Sequence, residues 1–331
     1  MRPAERQGHG IAEIYTPTVK LLARVRAATV LLAVTLASVL GPGASASPSV
    51  EQLVDDYAGG FSPDGETIVF ERFFSTLRPG VDTHPVPKRA VLLVMRADGS
   101  HKRLLRHTDA RFEHDATFAP DGRSILFVRD ERIHVMRRDG RGARVVRGDA
   151  LEQACPRFSP DGSKISFWRG STRAGGYFVM NADGSGLRRI SGEQRFAWGC
   201  PSWFPDGRRV VFAKDYNLYI ASVDGTRTLR ITDDGDGTLY RPSVSPDGRW
   251  IACDGWHRRT GDGIIVLRAD GTGLRRITTA ASEIQNDAGA AWSPDGRRII
   301  FSGHRGAYTG AGVYLVKRDG GGLRRLSNVG R

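Results

Sequence analysis

The chain has 331 residues, three cysteines and a formal charge of +13. The cysteines stand in no Cys/His zinc spacing, which excludes a small zinc module. The basic excess invites a nucleic-acid or anionic-surface reading, and the placement of the charges has to decide it.

The first 46 residues stand apart. Residues 27–40 are an uncharged run of 14, preceded by Lys20, Arg24 and Arg26 and followed by Ala44, Ser45 and Ala46. A basic flank, a short apolar run and small residues at a cleavage point describe a secretory signal. The run is shorter than the ~20 residues that span a bilayer as a helix. The expectation is a cleaved signal at 1–46, an exported chain starting at Ser47, and a secreted or periplasmic location without a transmembrane span. Residues 47–56 form a polar lead-in, and whether they add an outer strand to the last repeat unit is open.

From residue 61 onward one phrase recurs six times: Phe61-Ser62-Pro63-Asp64-Gly65, then copies with proline at 120, 160, 205, 246 and 294. Proline presets φ for a turn, aspartate suits its next position, and glycine takes positive φ cheaply. Short β-branched and aromatic runs follow at 68–70, 125–127, 165–167, 210–212, 251–253 and 299–301, and read as strands. A third strand comes next in each repeat, from 91–95 to 313–316. A second Asp-Gly turn begins at Asp98, Asp139, Asp183, Asp224, Asp270 and Asp319, and a fourth short strand closes the unit. Units of this period cannot stand alone and stack into an array. Six units of four antiparallel strands describe an all-β, six-bladed β-propeller. The blades fall at about 51–109, 110–150, 151–193, 194–234, 235–281 and 282–331.

The phrases Ser-Pro-Asp-Gly, Ile-x-Phe, Val-Met-x-Ala-Asp-Gly and Leu-Arg-Arg-Ile-Thr resemble the repeat of the TolB-family propeller, itself related to the WD repeat. The resemblance covers about residues 51–328 and implies the fold. TolB carries an α/β domain before its propeller for which this chain has no room, so TolB's role in an envelope complex is not implied.

Much of the positive charge sits at fixed repeat positions, above all the Arg-Arg pairs of the fourth strand. That strand is the outer edge of a blade, where charge blocks pairing with other chains. Together with export, this argues against nucleic acid and leaves an anionic glycan or cell-wall polymer as a partner. The connections 72–88, 254–263 and 302–312 exceed what the repeat needs. They lie on one face and either form a solvated, tolerant rim or offer Phe73, Phe74, His84, Trp256, His257 and Tyr308 to a partner.

The residues leading into the innermost strands converge on the channel mouth. Asp56, His114, Asp115, Trp198, Tyr240, Arg241 and Asp287 are the candidate ligand-binding set, or else they satisfy backbone groups and water there. Cys155 and Cys200 each stand five residues before the turn proline of adjacent blades, so they form a disulfide or two thiols near the axis. Cys253 replaces the strand-two phenylalanine and reads as core.

No Gly-x-Ser-x-Gly elbow, phosphate loop or dinucleotide fingerprint is present. Residues 233–237 are a plain acidic turn, lacking the spacing of a calcium loop. No cofactor, metal or catalytic residue is expected. The expected function is a monomeric, exported, non-catalytic binding module for a protein or glycan partner. The alternative is a polysaccharide-directed lyase or hydrolase using acids and bases at the channel mouth.

Overall fold

The computed structural model describes residues 50–77, 85–105, 112–171, 174–193, 199–233, 237–278, 284–305 and 310–328, without the side chains of 285–288 and 305. The expected signal at 1–46, His84, Trp198 and Tyr308 lie outside the described residues, as does the side chain of Asp287. Six four-stranded antiparallel sheets follow one another along the chain, each built from four consecutive strands. The fold is a six-bladed propeller, and no helix occurs among the described residues.

Blade one is formed by β1 (Glu51–Phe61), β2 (Thr67–Leu77), β3 (Val86–Arg96) and β4 (Arg103–Leu104). The polar lead-in is therefore part of the innermost strand of blade one, since Glu51 pairs with Leu77 and Asp56 with Arg72. Much of the expected loop at 72–88 is strand as well. Phe73 and Phe74 sit in the β2 ladder, opposite Ala90 and Arg89 of β3. Phe73 meets the Tyr57 ring edge-on at 5.3 Å. The β-branched and aromatic content of 67–77 favours continued pairing over an open loop.

The same extension occurs in blade five, where Trp250–His257 pairs with Gly261–Arg268; in blade six the second strand, Arg298–Arg305, instead runs on along the innermost strand, with His304 and Arg305 opposite Gln285 and Ile284. Blades two to four have shorter hairpins, such as Ser124–Arg129 with Arg132–Arg137. Blades one and five thus carry the longest ladders between second and third strands.

Each Ser-Pro-Asp-Gly turn is held by its own side chains. In blade one the Gly65 amide donates to the Ser62 carbonyl at 2.8 Å. The Thr67 amide donates to Ser62 Oγ at 2.9 Å and the Glu66 amide to Asp64 Oδ1 at 2.9 Å. Glycine is required at the second turns for a further reason. At Gly271, with φ of +90°, a Cβ would stand 1.8 Å from the Ile231 carbonyl oxygen of the preceding blade.

Six apolar clusters fill the six gaps between neighbouring blades. Ile68, Phe70, Val91 and Leu93 of blade one pack with Ile300, Val313 and Leu315 of blade six. The other layers repeat this arrangement, for example Phe127 and Met136 against Val69 and Leu92. A lone blade would expose both faces, which is why the unit exists only in the ring. The ring closes without exchanging a strand. The Asp56 amide donates to the Ala311 carbonyl at 2.9 Å and the Ala311 amide to Asp55 Oδ1 at 2.8 Å.

The fourth-strand arginines do more than guard an edge. The first of each pair reaches the next blade: Arg188 Nη1 donates to the Asp224 carbonyl at 2.8 Å, and Arg324 Nη1 to the Asp98 carbonyl at 3.4 Å across the ring closure. In two of the three pairs the second covers an aromatic ring of its own blade, Arg189 over Phe178 at 5.8 Å and Arg325 over Tyr314 at 5.7 Å. A large part of the basic charge is thus engaged in the scaffold itself.

Candidate functional site

The innermost strands surround a cavity of about 570 Å³ on the propeller axis. An uninterrupted strand would turn alternate residues toward it. Instead the pairing slips at the same point in five blades, next to Ala58, His114, Ala154, Tyr240 and Ala288. Asp115, Cys155, Arg241 and Gly289, all five residues before a turn proline, have φ of +57°, +57°, +45° and +66°. These are β-bulges, which put consecutive side chains on one face and recur beside functional sites. Accordingly the pairs Tyr57 and Ala58, His114 and Asp115, Ala154 and Cys155, and Tyr240 and Arg241 all line the cavity.

The candidate mouth residues divide in two. His114, Asp115, Tyr240 and Arg241 face the axis. Asp56, one register position earlier, is fully buried away from it. It accepts both arms of the Arg72 guanidinium, at 2.7 and 2.9 Å. Glu113 occupies the same register position in blade two, where its Oε1 accepts both Nε and Nη2 of Arg129. Among the proposed partner residues Trp256 is 47% exposed, His257 half-buried, and Phe73 and Phe74 half-buried in their hairpin.

Cys155 and Cys200 are bridged at the mouth, with Cα atoms 4.7 Å apart. The Asp115 carboxylate lies within 4.8 Å of both sulfurs. Joined to one another, those sulfurs offer no thiolate to a metal. Asp115 Oδ2 instead accepts the Cys155 amide at 2.8 Å and stands 3.3 Å from His114 Nδ1.

Two buried carboxyls brace the bulges from the second strands. Asp254 accepts Arg241 Nη1 at 2.8 Å and the Gly289 amide at 3.2 Å. Burial outweighs these contacts and pushes its pKa up to about 6. Glu71 accepts the Ala116 amide at 2.9 Å. Burial first, and the Asp115 charge second, push its carboxyl up to about 8.

This has a measurable consequence. Unfolded, the Glu71 carboxyl titrates near its ordinary 4.5, and folded near 8. Between those values the folded state holds a proton that the unfolded chain has released. Stability from this group therefore falls as pH rises through the window, by at most about 1.4 kcal/mol per pH unit. Glu71→Gln keeps an acceptor for Ala116 and removes the slope. Urea midpoints from about pH 5 to about pH 9 are expected to show the variant gaining on the parent as pH rises. A constant difference would mean that the carboxyl is not raised.

Below the mouth lies a layer that the candidate set omits. Gly60, Thr117, Arg157, Ser202, Ser243 and Ala291, three residues before each turn proline, all line the cavity. Aligning the six repeats on their prolines would have exposed Arg157 as the one large residue at that position. The same alignment singles out Glu71, where the next three blades carry Val128, Trp168 and Ala213. Still lower, the cavity reaches Trp203, Trp292 and the six turn prolines.

The comparisons with known proteins agree with this architecture. The dipeptidyl peptidase IV N-terminal region matches residues 159–244. An uncharacterized protein of Agrobacterium fabrum is 26% identical over 179 residues, 48% of this chain and 60% of its own length. Dipeptidyl aminopeptidase B of Saccharomyces cerevisiae is 29% identical over 117 residues, 33% of this chain and 13% of its own. The chain thus spans less than two thirds of either curated relative.

Among solved structures, a TolB described as putative, from Agrobacterium tumefaciens, aligns with a TM-score of 0.59 at 21% identity, over 69% of this chain and 85% of that one. TolB from Acinetobacter baumannii aligns at 0.60 and 16%, over 81% and 62%. An oligogalacturonate lyase in complex with manganese aligns at 0.55 and 13%, over 86% and 82%. Identities this low speak to fold alone. By its repeat, its sheets and these neighbours, the chain is a six-bladed β-propeller similar to that of TolB.

Proposed function

We propose that the chain is an exported binding module that holds a protein or glycan partner at the mouth of its central channel and performs no chemistry on it. The observation that carries this reading is how the mouth is built. Its charged groups are engaged with one another, Arg241 with Asp254 and His114 with Asp115. Aromatic surface beside them is open: Tyr216 is 44% and Trp256 47% exposed. Tyr216 meets Tyr240 edge-on at 5.9 Å, so an aromatic run leads from the cavity outward. Rigid aromatics beside a shaped cavity are what recognition sites use. Among the described residues no helix is long and apolar enough to cross a membrane.

The test is capture from envelope extract and on a glycan array, with the purified chain as bait. The double variant Tyr216→Ala, Trp256→Ala is expected to retain the partner at least about tenfold more weakly. Undiminished retention would overturn the reading of the mouth. Export is tested on its own by N-terminal sequencing of the protein outside the cytoplasm. Ser47 is the expected first residue, and recovery of residues 1–40 contradicts cleavage.

One observation favours a second reading, a polysaccharide-directed lyase or hydrolase. The Glu71 carboxyl, raised to about 8, adjoins His114 and Asp115, as a proton-transferring group would. New chain ends released from an acidic polysaccharide, and abolished by Glu71→Gln, would replace the binding reading with this one.

A further inference from the structure

Arg157 lies in the innermost strand of blade three, Glu152–Phe158, two residues beyond the bulge at Cys155. Its Nη1 donates to the Pro156 carbonyl at 2.8 Å and, at 3.5 Å, to the Asp115 carbonyl. Those are neutral acceptors. No carboxylate of the described residues is ion-paired with it. The two nearby acids are committed elsewhere, Glu71 to the Ala116 amide, and Asp115 to the Cys155 amide and His114. Burial lowers the Arg157 pKa, and the Asp115 and Glu71 charges only partly offset it.

A guanidinium held in a channel wall without a direct ion pair is costly. Here the fold also clears the space in front of it. The other five residues of its layer are glycine, threonine, two serines and alanine. Ser202 Oγ accepts the Val244 amide at 3.0 Å, while Thr117 and Ser243 place further hydroxyls in the same layer. The layer is therefore a planar fork of donors facing small, partly hydroxylic walls, below an open mouth.

We propose that this layer is a carboxylate receptor: a ligand lowers a carboxylate group from the mouth to Arg157, which takes it as a bidentate pair. A fork of two parallel N–H donors matches a carboxylate in geometry as well as charge. A monoanion fits better than a phosphate dianion, because the Asp115 carboxylate flanks the site and repels added negative charge. The inference deepens the binding reading and rests on it for its purpose. Its test uses no partner, so a failure here leaves the docking role of the mouth standing, and a failure of mouth docking leaves this layer to be judged alone.

Two indoles report on the layer from below. Trp203 Nε1 donates to the Arg157 carbonyl at 3.0 Å, and Trp292 Nε1 to the Ser243 carbonyl at 2.9 Å. The experiment titrates the indole-15N-labelled chain with acetate and, as the neutral isostere, acetamide. Acetate is expected to shift the Trp203 indole signal saturably, with a Kd of about 10 mM or tighter, and acetamide to leave it in place. Arg157→Gln weakens acetate by about tenfold or more, with the Trp292 indole in its native position as proof of folding. Should that variant not fold, Arg157→Lys decides, since it keeps the charge and loses the fork, and binds roughly threefold or more weakly.

A second arm compares a hexuronic acid with an N-acetyl amino acid, which carry the same group on a sugar and on a peptide unit. The tighter of the two names the source of the ligand. Equal shifts with acetate and acetamide, or undiminished acetate binding in Arg157→Gln, would overturn the receptor.

Discussion

Gly271→Ala is expected to destabilise the propeller by roughly 2–5 kcal/mol, because two costs add at one atom. The first is local. Gly271 has φ of +90°, where an L side chain crowds its own backbone at roughly 1–2 kcal/mol. The second belongs to the ring. The new Cβ would stand 1.8 Å from the Ile231 carbonyl oxygen and 2.9 Å from its carbon. Backbone cannot swing aside as a flexible side chain can, so blade five would have to move off blade four, at a further cost of about 1–3 kcal/mol.

Gly142 supplies the control. Its φ is +67° and a Cβ there meets nothing within 4 Å, so Gly142→Ala carries only the local cost of about 1–2 kcal/mol. Urea denaturation of both variants separates the two effects. Equal losses would mean that the turn glycines matter for their backbone angle alone and not for blade contact. The same contact recurs at the ring closure, where a Cβ on Gly99 would lie 2.8 Å from the Leu326 carbonyl oxygen.

The second large effect concerns the bridge between Cys155 and Cys200, which links the innermost strand of blade three to the start of blade four across a sequence separation of 45. Closing a loop of that length restricts the unfolded chain by about 4 kcal/mol in the chain-entropy account. Replacing both cysteines with serine is expected to lower stability by roughly 3–4 kcal/mol. Peptide mapping without reductant gives the direct readout, with a linked Cys155–Cys200 peptide and one alkylatable thiol. Three alkylatable thiols would remove the bridge. The loss also bears on the site, since Asp115 holds the Cys155 amide and would lose a fixed partner.

The repeat phrase carried the architecture, and the reason is local chemistry. Pro63, Asp64 and Gly65 specify a turn within five residues, and Ile68 to Phe70 specify a strand whatever lies beyond them. Because the same chemistry recurs six times, the number of blades, the strands per blade and the covering of each blade by its neighbours were all legible. So was the convergence of His114, Asp115, Tyr240 and Arg241, which follows from their shared distance to a turn proline.

Three things were decided only in the ring. The bulges at Asp115, Cys155 and Arg241 turn consecutive residues to the axis, while the register sends Asp56 and Glu113 into ion pairs with Arg72 and Arg129. A period-two reading cannot foresee that slip, because it depends on the Glu71, Asp254 and Ser302 side chains that catch the freed amides from a second strand. The long connections of blades one and five became extended hairpins, and that of blade six lengthened its second strand along the innermost one, because cross-strand pairing favours β-branched and aromatic residues over an open loop. And the fourth-strand arginines, legible as edge charges, turned out to bind the next blade's carbonyls, a partner that exists only once neighbouring blades are stacked. Local sequence determined each blade; the contacts between blades, which join residues tens or hundreds of positions apart, determined what the channel holds.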